Sequence, residues 1–258
     1  MPATYVYCVV ASPRAPRIGR APSGLPDTGP LRFLEVAKGL FAVVADAPPS
    51  RYNAETINRK LSDLNWVSRA AVRHESVVEH FIDAKAVLPM KLFTIFDNDD
   101  RALDHMRSQR LRLASMARRV AGHHEWGVRV LLDRAKALEM SRARSDGRPA
   151  PRAATGADYL TRKKAVRDAS AELATRARAT VADVYDRLSK RARLSRRRTA
   201  AELPAAGGSL LLDAAFLVSR KKTASFRALA AERARALAPS GYAVTLTGPW
   251  PPYTFVHD

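Results

Sequence analysis

The hydrophobic pattern of the first fifty residues has the period of two that is typical of strands. Residues 4–11 alternate large and small apolar side chains, and two further apolar runs occupy residues 31–37 and 40–45. Only Lys38 and Gly39 separate these two runs, and so short a break is a hairpin signal. We therefore predict three strands, of which the second and third pair as antiparallel neighbours.

After residue 50 the apolar positions change to the three- and four-residue steps of an amphipathic helix. Residues 57–81 follow this period, with a break near Asn65. Leu61 and Leu64 fall on the apolar face of the pattern, together with Ile57. We therefore expect these side chains to face the core.

A short apolar run at residues 87–96 predicts one buried strand. Pro89 favours an edge position or a bulge, because proline cannot donate to a strand ladder. The acidic stretch at residues 97–100 predicts a helix N-terminus, since it lacks the glycine and the distal glutamate of a calcium loop. Gly122 ends that helix, and residues 125–132 are predicted to form the next strand.

This order of elements predicts an α+β fold for the N-terminal half of the chain. Two helices on one face of a mostly antiparallel sheet form a layer of ferredoxin-like type with an extra strand. The basic stretch at residues 141–156 contains prolines and glycines and is typical of a linker. We therefore predict an N-terminal domain at residues 1–140 and a C-terminal domain at residues 157–258.

The C-terminal domain is predicted to begin with a long basic helix at residues 158–196. A narrow apolar stripe recurs along it near heptad spacing. A strand at residues 210–218 follows, and then a helix that is capped by Thr223 or Ser225. With a last strand at residues 242–247, this half is also predicted to be α+β.

Prolines and aromatic residues dominate the stretch from Gly248 to Val256. Each proline fixes its own φ and restricts the residue before it, so we predict an extended, polyproline-like segment. Alternation then places Tyr253 and Phe255 on one face. We expect these rings to pack on the core of this protein. The alternative is an exposed ligand for a proline-recognition domain.

This last segment resembles the C-terminal signature of the gas vesicle protein F/L family. Five other stretches agree with that family in order and approximate spacing, so that the resemblance spans nearly the whole chain. They are Tyr5–Val10, Val87–Lys91, Glu125–Val130, Gly156–Leu160 and Asp213–Val218. One departure lies at Leu92 and Phe93, where the family is expected to carry Phe-Gly. Without that glycine, a positive φ or a close backbone approach at this point is in doubt.

The resemblance implies a modified ferredoxin-like N-terminal domain and a non-enzymatic accessory role in gas vesicle assembly. Its implied partners are the small apolar shell protein and other gas vesicle accessory proteins. A protein in this accessory role would offer a sheet edge or an aromatic surface to the shell protein. The candidate contact residues lie in the predicted edge strand and the C-terminal segment, and they are Pro89, Met90, Phe93, Trp250, Tyr253 and Phe255.

The positive charge of the chain indicates polyanion binding as an alternative function. The net charge is +19, and 26 of the 44 basic residues lie in residues 101–200, which hold 10 acidic residues. Such an excess is typical of a polyanion-binding surface, with nucleic acid as the partner, or of a solvated helical face. Only Tyr159 and Tyr185 offer rings for base stacking in the long basic helix.

Sequence motifs for catalysis, cofactors or metals are not found. His74 and His80 are six residues apart, whereas zinc-binding pairs on a helix are four apart. The chain has no phosphate-binding loop and no nucleophile elbow. It also has a single cysteine, Cys8, no secretion signal and no apolar run of eighteen residues. We therefore predict a cytoplasmic protein that has no cofactor or metal and does not enter a membrane, and the family resemblance implies that it is associated with gas vesicles.

Overall fold

A computed structural model of the chain describes residues 2–144, 156–198 and 208–256. The strands are β1 (Ala3–Ala11), β2 (Arg32–Ala37), β3 (Leu40–Ala47), β4 (Ala86–Pro89), β5 (Ile95–Phe96), β6 (His123–Leu132), β7 (Leu194–Arg197), β8 (Ser209–Ser219) and β9 (Tyr242–Trp250). The helices are α1 (Pro49–Tyr52), α2 (Ala54–Lys60), α3 (Leu64–His80), α4 (Asp99–Ser108), α5 (Arg110–Val120), α6 (Arg134–Arg144), α7 (Gly156–Ser189), α8 (Thr223–Leu237) and α9 (Tyr253–Val256).

The chain divides into two compact units. The first unit combines Met1–Glu125 with Pro249–Asp258, and the second unit is Trp126–Gly248. The chain therefore passes between the units within β6 and near the end of β9, whereas the sequence predicts domain boundaries at residues 140 and 157. The predicted linker at residues 141–156 lies largely outside the described residues. Its first residues belong to α6, which the sequence pattern does not predict.

The sheet of the first unit is built around β1. Its strand order is β2-β3-β1-β4, and β5 pairs with β1 beside β4. The predicted hairpin is confirmed, because β2 and β3 are antiparallel neighbours joined at Gly39, whose φ is +78°. Every residue of β1 from Thr4 onwards is buried, and both α3 and α4 contact this strand. Since alternate side chains point to opposite faces, β1 is covered on both faces.

The single strand predicted at residues 87–96 is wrong, because the structure has two strands, β4 and β5, with a turn between them. Pro89 is the last residue of β4 and pairs with Cys8. The chain then turns through Phe93, whose φ is +64°. The apolar residues of the turn continue the apolar run of β4, so hydrophobicity alone does not mark the interruption. The edge position that Pro89 favours is confirmed, since β4 ends the strand order.

The helix predicted after the acidic stretch is two helices, α4 and α5. Its predicted N-terminus is confirmed, because the Asn98 side chain accepts a hydrogen bond from the Arg101 N–H at 2.9 Å. In the first turn of α4, the Asp99 carboxylate pairs with the Arg32 guanidinium at 2.5 Å. This pair ties the start of α4 to β2 and lowers the pKa of Asp99.

The sheet of the second unit has the strand order β7-β8-β6-β9. Along the chain its elements follow the β-α-β-β-α-β pattern of a ferredoxin-like fold, with α6 as an additional helix. The sheet of the first unit has the same spatial order of its first four strands, but a loop at residues 12–31 replaces the first crossover helix. The predicted α+β class is confirmed in both units.

The long basic helix is shorter than predicted. Helix α7 ends at Ser189, and Leu194 and the arginines after it form β7, which pairs with β8. The Arg-rich composition favours a helix here, but the ladder with β8 outweighs this weak local preference. The predicted apolar stripe does not extend to Val166, which is 51% exposed. Its buried part is Leu173, Ala177, Val181, Val184 and Leu188.

The C-terminal segment is not extended throughout, as predicted, because Tyr253–Val256 forms the single helical turn α9. The buried Glu125 carboxylate accepts hydrogen bonds from the Thr254 N–H at 2.7 Å and from the Thr254 hydroxyl at 2.6 Å. A carboxylate at the start of a helix satisfies free N–H groups, as an N-cap does. The Arg119 guanidinium donates to the Phe255 carbonyl. Two long-range partners therefore stabilise a turn that the local sequence does not favour.

The Tyr253 hydroxyl gives a prediction about stability. It is buried and has no hydrogen-bond partner among the described residues. Tyr253→Phe should therefore raise the free energy of unfolding by about 1 kcal/mol, because it removes an unsatisfied polar group. Tyr52→Phe is the matched control, since the Tyr52 hydroxyl donates to the Pro26 carbonyl at 2.7 Å, and it should be destabilising. Urea denaturation of both variants checks the two signs, and a destabilised Tyr253→Phe would contradict the prediction.

Candidate protein-interaction site

Three of the candidate contact residues lie in or against the core of the first unit. Pro89 is buried within β4, and Phe255 is only 5% exposed. Tyr253 is partly buried and packs against the hydrophobic cluster that contains Tyr5 and Val87. Helix α9 contacts both β4 and α5. The expectation that the C-terminal rings pack on the protein's own core is therefore confirmed for Tyr253 and Phe255.

The other three candidates reach the surface. Trp250 ends β9 with 37% of its area exposed. Met90 and Phe93 lie in the turn between β4 and β5 and are partly exposed. The structure therefore brings Met90 and Phe93 together in one turn.

Phe93 occupies the position at which the family resemblance leads us to expect glycine. Its φ of +64° shows that the positive φ is present although the glycine is not. A side chain in the left-handed region costs roughly 1–2 kcal/mol, so the surrounding structure must hold this residue in place.

A chain of buried hydrogen bonds holds the turn. The Phe93 N–H donates to the Tyr5 hydroxyl oxygen at 3.2 Å, and the Tyr5 hydroxyl donates to His74 Nδ1 at 2.7 Å. On its other side, His74 Nε2 donates to the Met90 carbonyl at 3.1 Å. Since a carbonyl only accepts, the proton of the neutral imidazole lies on Nε2, and Nδ1 is left as the acceptor for Tyr5. One residue of β1 and one of α3 therefore hold both ends of the turn.

The pKa values of the two side chains agree with this direction of donation. Burial lowers the pKa of His74 from 6.5 to about 4, so the ring is neutral near pH 7. Burial also raises the pKa of Tyr5 well above its usual value, so its hydroxyl keeps the proton that it donates. Tyr7 stacks on the His74 ring with centroids 5.5 Å apart and limits its rotation.

The Phe93 ring is part of an apolar surface. It stacks on Trp66 with the ring centroids 5.0 Å apart and an interplanar angle of 11°. Leu61, in the turn between α2 and α3, is 48% exposed, and Leu64, the first residue of α3, is 77% exposed. We use the name Phe93 surface for Phe93, Trp66 and Ile57 together with Leu61 and Leu64, which precede Trp66 in the chain.

A groove of about 640 Å³ adjoins this surface. Ile57 and Phe93 line it together with Ile95 and Phe96 of β5, and its polar lining residues are Asn53, Asn58 and Asp97. Such a volume and such a mainly apolar lining with a few polar groups are typical of a binding site. The groove runs beside β5, which has β1 as its only strand partner among the described residues.

The sequence pattern placed Leu61 and Leu64 on the buried face of a helix, and this prediction is wrong. Helix α2 ends at Lys60 and α3 begins at Leu64, so the helical register breaks between the two leucines. The signal that was available is Asp63, whose side chain accepts a hydrogen bond from the Trp66 N–H as the N-cap of α3.

Other kinds of site find little support in the described part of the chain. No group of three or more histidine, cysteine or acidic side chains is arranged to hold a metal there. None of the helices described is long and apolar enough to cross a membrane. The Phe93 surface is a candidate site in the first unit because it combines exposed leucines, a stacked ring pair and an adjoining groove.

The buried histidine predicts how stability depends on pH. The folded protein keeps His74 neutral down to about pH 4, whereas an unfolded chain binds the proton near pH 6.5. Stability from this group is therefore complete above pH 6.5 and is lost as the pH falls towards 4, by about 2–3 kcal/mol. Urea denaturation between these pH values should show a flatter profile for His74→Gln. His80→Gln, at an exposed position of α3, is the control, and an unchanged slope in His74→Gln would contradict the prediction.

Comparison with known protein families and structures gives consistent results. Residues 3–257 match the family model described as gas vesicle synthesis protein GvpL/GvpF. Gas vesicle protein L of Streptomyces sp. (strain CB03234) is 30% identical over 257 residues, which cover 97% of this chain and 91% of the relative. Gas vesicle protein L2 of Halobacterium salinarum is 29% identical over 98% of this chain and 91% of its own length.

The fold is shared with solved structures of gas vesicle protein GvpF. The crystal structure of the Anabaena sp. PCC7120 protein aligns with a TM-score of 0.70 at 15% identity, covering 100% of this chain and 99% of that one. The Microcystis aeruginosa protein aligns with a TM-score of 0.69 at 14% identity, with 100% of both chains covered. The family match spans both units, so the chain belongs to the GvpL/GvpF family and its role is connected with gas vesicles.

Proposed function

We propose that this chain is a non-enzymatic accessory protein that acts in gas vesicle assembly by binding the small shell protein. The observation that carries the proposal is the Phe93 surface, an exposed apolar area next to a sheet edge. Family membership supplies the gas vesicle context, and the implied shell subunit is apolar and rich in strands before it assembles. An apolar patch of this kind is typical of a surface that another protein covers.

The exposed leucines would provide much of the binding energy. Leu64 is 77% exposed and Leu61 48% exposed, so a partner that covers them removes apolar area from water. Full burial of a leucine side chain contributes roughly 1.5–3 kcal/mol. Phe93 and Trp66 add a rigid pair of rings, which lose little conformational entropy on binding.

The position of β5 suits the chemistry of a β-rich partner. This two-residue strand lies at the same edge as β4, beside the groove that Phe93 lines. A strand added along this edge would gain backbone hydrogen bonds while its apolar side chains enter the groove.

Leu64 and Leu111 form a matched pair for the test, because both are 77% exposed but Leu111 lies on α5, away from the α2–α3 turn. Purified protein should capture the shell protein in a pull-down at both low and high salt, since the contact is apolar. Leu64→Ser should reduce capture about tenfold or more, whereas Leu111→Ser should leave it unchanged. Capture that disappears at high salt, or equal effects of the two variants, would overturn the proposed surface, and no capture at either salt would overturn shell-protein binding.

The variant Phe93→Gly distinguishes an effect on binding of the shell protein from an effect on stability. The glycine removes the ring from the surface but also relieves the positive-φ strain, so the free energy of unfolding should stay within about 1 kcal/mol of the parent. Loss of capture in a variant of unchanged stability would support a direct contact. Full capture by Phe93→Gly would exclude the ring from the interface.

A further inference from the structure

We infer that a second groove, which lies within the second unit, binds a short acidic and apolar segment of a partner protein. The groove has a volume of about 520 Å³ and lies between α7 and the sheet. This inference does not depend on the Phe93 surface, because it rests on different residues in a different unit.

The floor of the groove is aliphatic. Helix α7 contributes Leu173 and Val181, β6 contributes Leu132 and β8 contributes Leu211. Leu132, Leu173 and Val181 belong to the core of the second unit, and Leu211 packs against that core, so the floor is fixed by packing. A preformed apolar floor receives aliphatic side chains without first having to be ordered.

Three arginines from three different elements line the same groove. They are Arg134 at the start of α6, Arg178 of α7 and Arg197 of β7, and all three are exposed. None of them forms an ion pair with a carboxylate of the described residues. Arg178 donates to the Thr175 hydroxyl at 3.2 Å, and the Arg197 guanidinium lies 4.5 Å from the centre of the Tyr185 ring.

Other arginines of α7 are paired. Arg176 pairs with Glu172 at 3.1 Å, and Arg187 pairs with Asp183 at 2.6 Å. The general excess of positive charge therefore does not by itself leave arginines without carboxylates on this helix. The three groove arginines stand out because they surround an apolar floor and lack acidic partners among the described residues.

Charge complementarity then defines the ligand. Guanidinium groups pair with carboxylates through two parallel hydrogen bonds, and such pairs are favoured when they are partly shielded from water. The aliphatic floor can pack against leucine- or isoleucine-like side chains that lie between those carboxylates in the ligand. A segment with two or three aliphatic residues flanked by Asp or Glu meets both requirements.

Nucleic acid fits this groove less well. Among the described residues that line it there is no aromatic side chain, so they offer no ring on which a base can stack. Arg197 already lies over the ring of Tyr185, at 4.5 Å from its centre. A bound polyanion would also leave the aliphatic side chains of the floor uncovered.

The test measures binding of a fluorescein-labelled peptide of sequence EDLEILDE to the full chain by fluorescence anisotropy at low salt. The peptide should bind, and a peptide in which serine replaces each aliphatic residue should bind at least about tenfold more weakly. Arg178→Gln and Arg197→Gln should each weaken binding of the first peptide about fivefold. Arg167→Gln is the matched control, because it removes one charge from an exposed position of the same helix outside the groove.

A variant that fills the groove provides a second, independent readout. Ala174 lines the groove on α7, and Ala174→Glu places a carboxylate among the arginines while keeping a good helix former. It should abolish peptide binding without lowering thermal stability. Equal weakening by Arg167→Gln and Arg178→Gln, equal binding of the serine peptide, or no binding would overturn the inference. A labelled oligo-dT that binds more tightly than the peptide, and that the groove variants weaken to the same degree as the peptide, would also overturn the inference. This outcome would identify the groove as a polyanion site.

Discussion

Two buried side chains, Tyr5 and His74, hold the turn on which the apolar surface of the first unit depends. They connect the backbone of Phe93 to the backbone of Met90 by hydrogen bonds of 3.2, 2.7 and 3.1 Å. The chain of donation works in one direction only, because the tyrosine keeps its proton and the imidazole is neutral. If either side chain lost its partner, a buried polar group would be left unsatisfied and the positive φ of Phe93 would be unsupported. The same interaction therefore stabilises the centre of the sheet and presents an aromatic ring to solvent.

Much of the fold could be predicted from the sequence because its signals are local. The Lys38-Gly39 hairpin, the Asn98 cap of α4 and the edge position of Pro89 each follow from the chemistry of one or two residues. The resemblance to the F/L family, carried by short stretches along the whole chain, is confirmed by the match over residues 3–257.

The elements that were not predicted depend on partners distant in sequence. Strand β7 forms in an Arg-rich stretch because β8 offers it a ladder, and α9 forms after two prolines because Glu125 satisfies the Thr254 N–H. For the candidate site, Phe93 remains a candidate contact residue, whereas the pattern assigns Leu61 and Leu64 to the core and the structure exposes them. A periodicity that runs across a helix break gives the wrong face on one side of that break.

The two units share one strand order, but the side chains that line their grooves differ. In the first unit the groove beside Phe93 combines aromatic and isoleucine side chains with two asparagines and Asp97. In the second unit the groove along α7 combines an aliphatic floor with three arginines. A ferredoxin-like arrangement places helices against a sheet in both cases, and different side chains line the two grooves.

The first unit is discontinuous in sequence, so its two parts are synthesised at different times. Its sheet and helices are translated before residue 126, but the α9 turn that satisfies Glu125 is translated only after the whole second unit. While the second unit emerges from the ribosome, the Glu125 carboxylate lacks the N–H and hydroxyl of Thr254. The first unit is therefore the first to begin folding and the last to be completed, so a chain that ends just before α9 contains the whole second unit and still lacks the two Thr254 donors to Glu125.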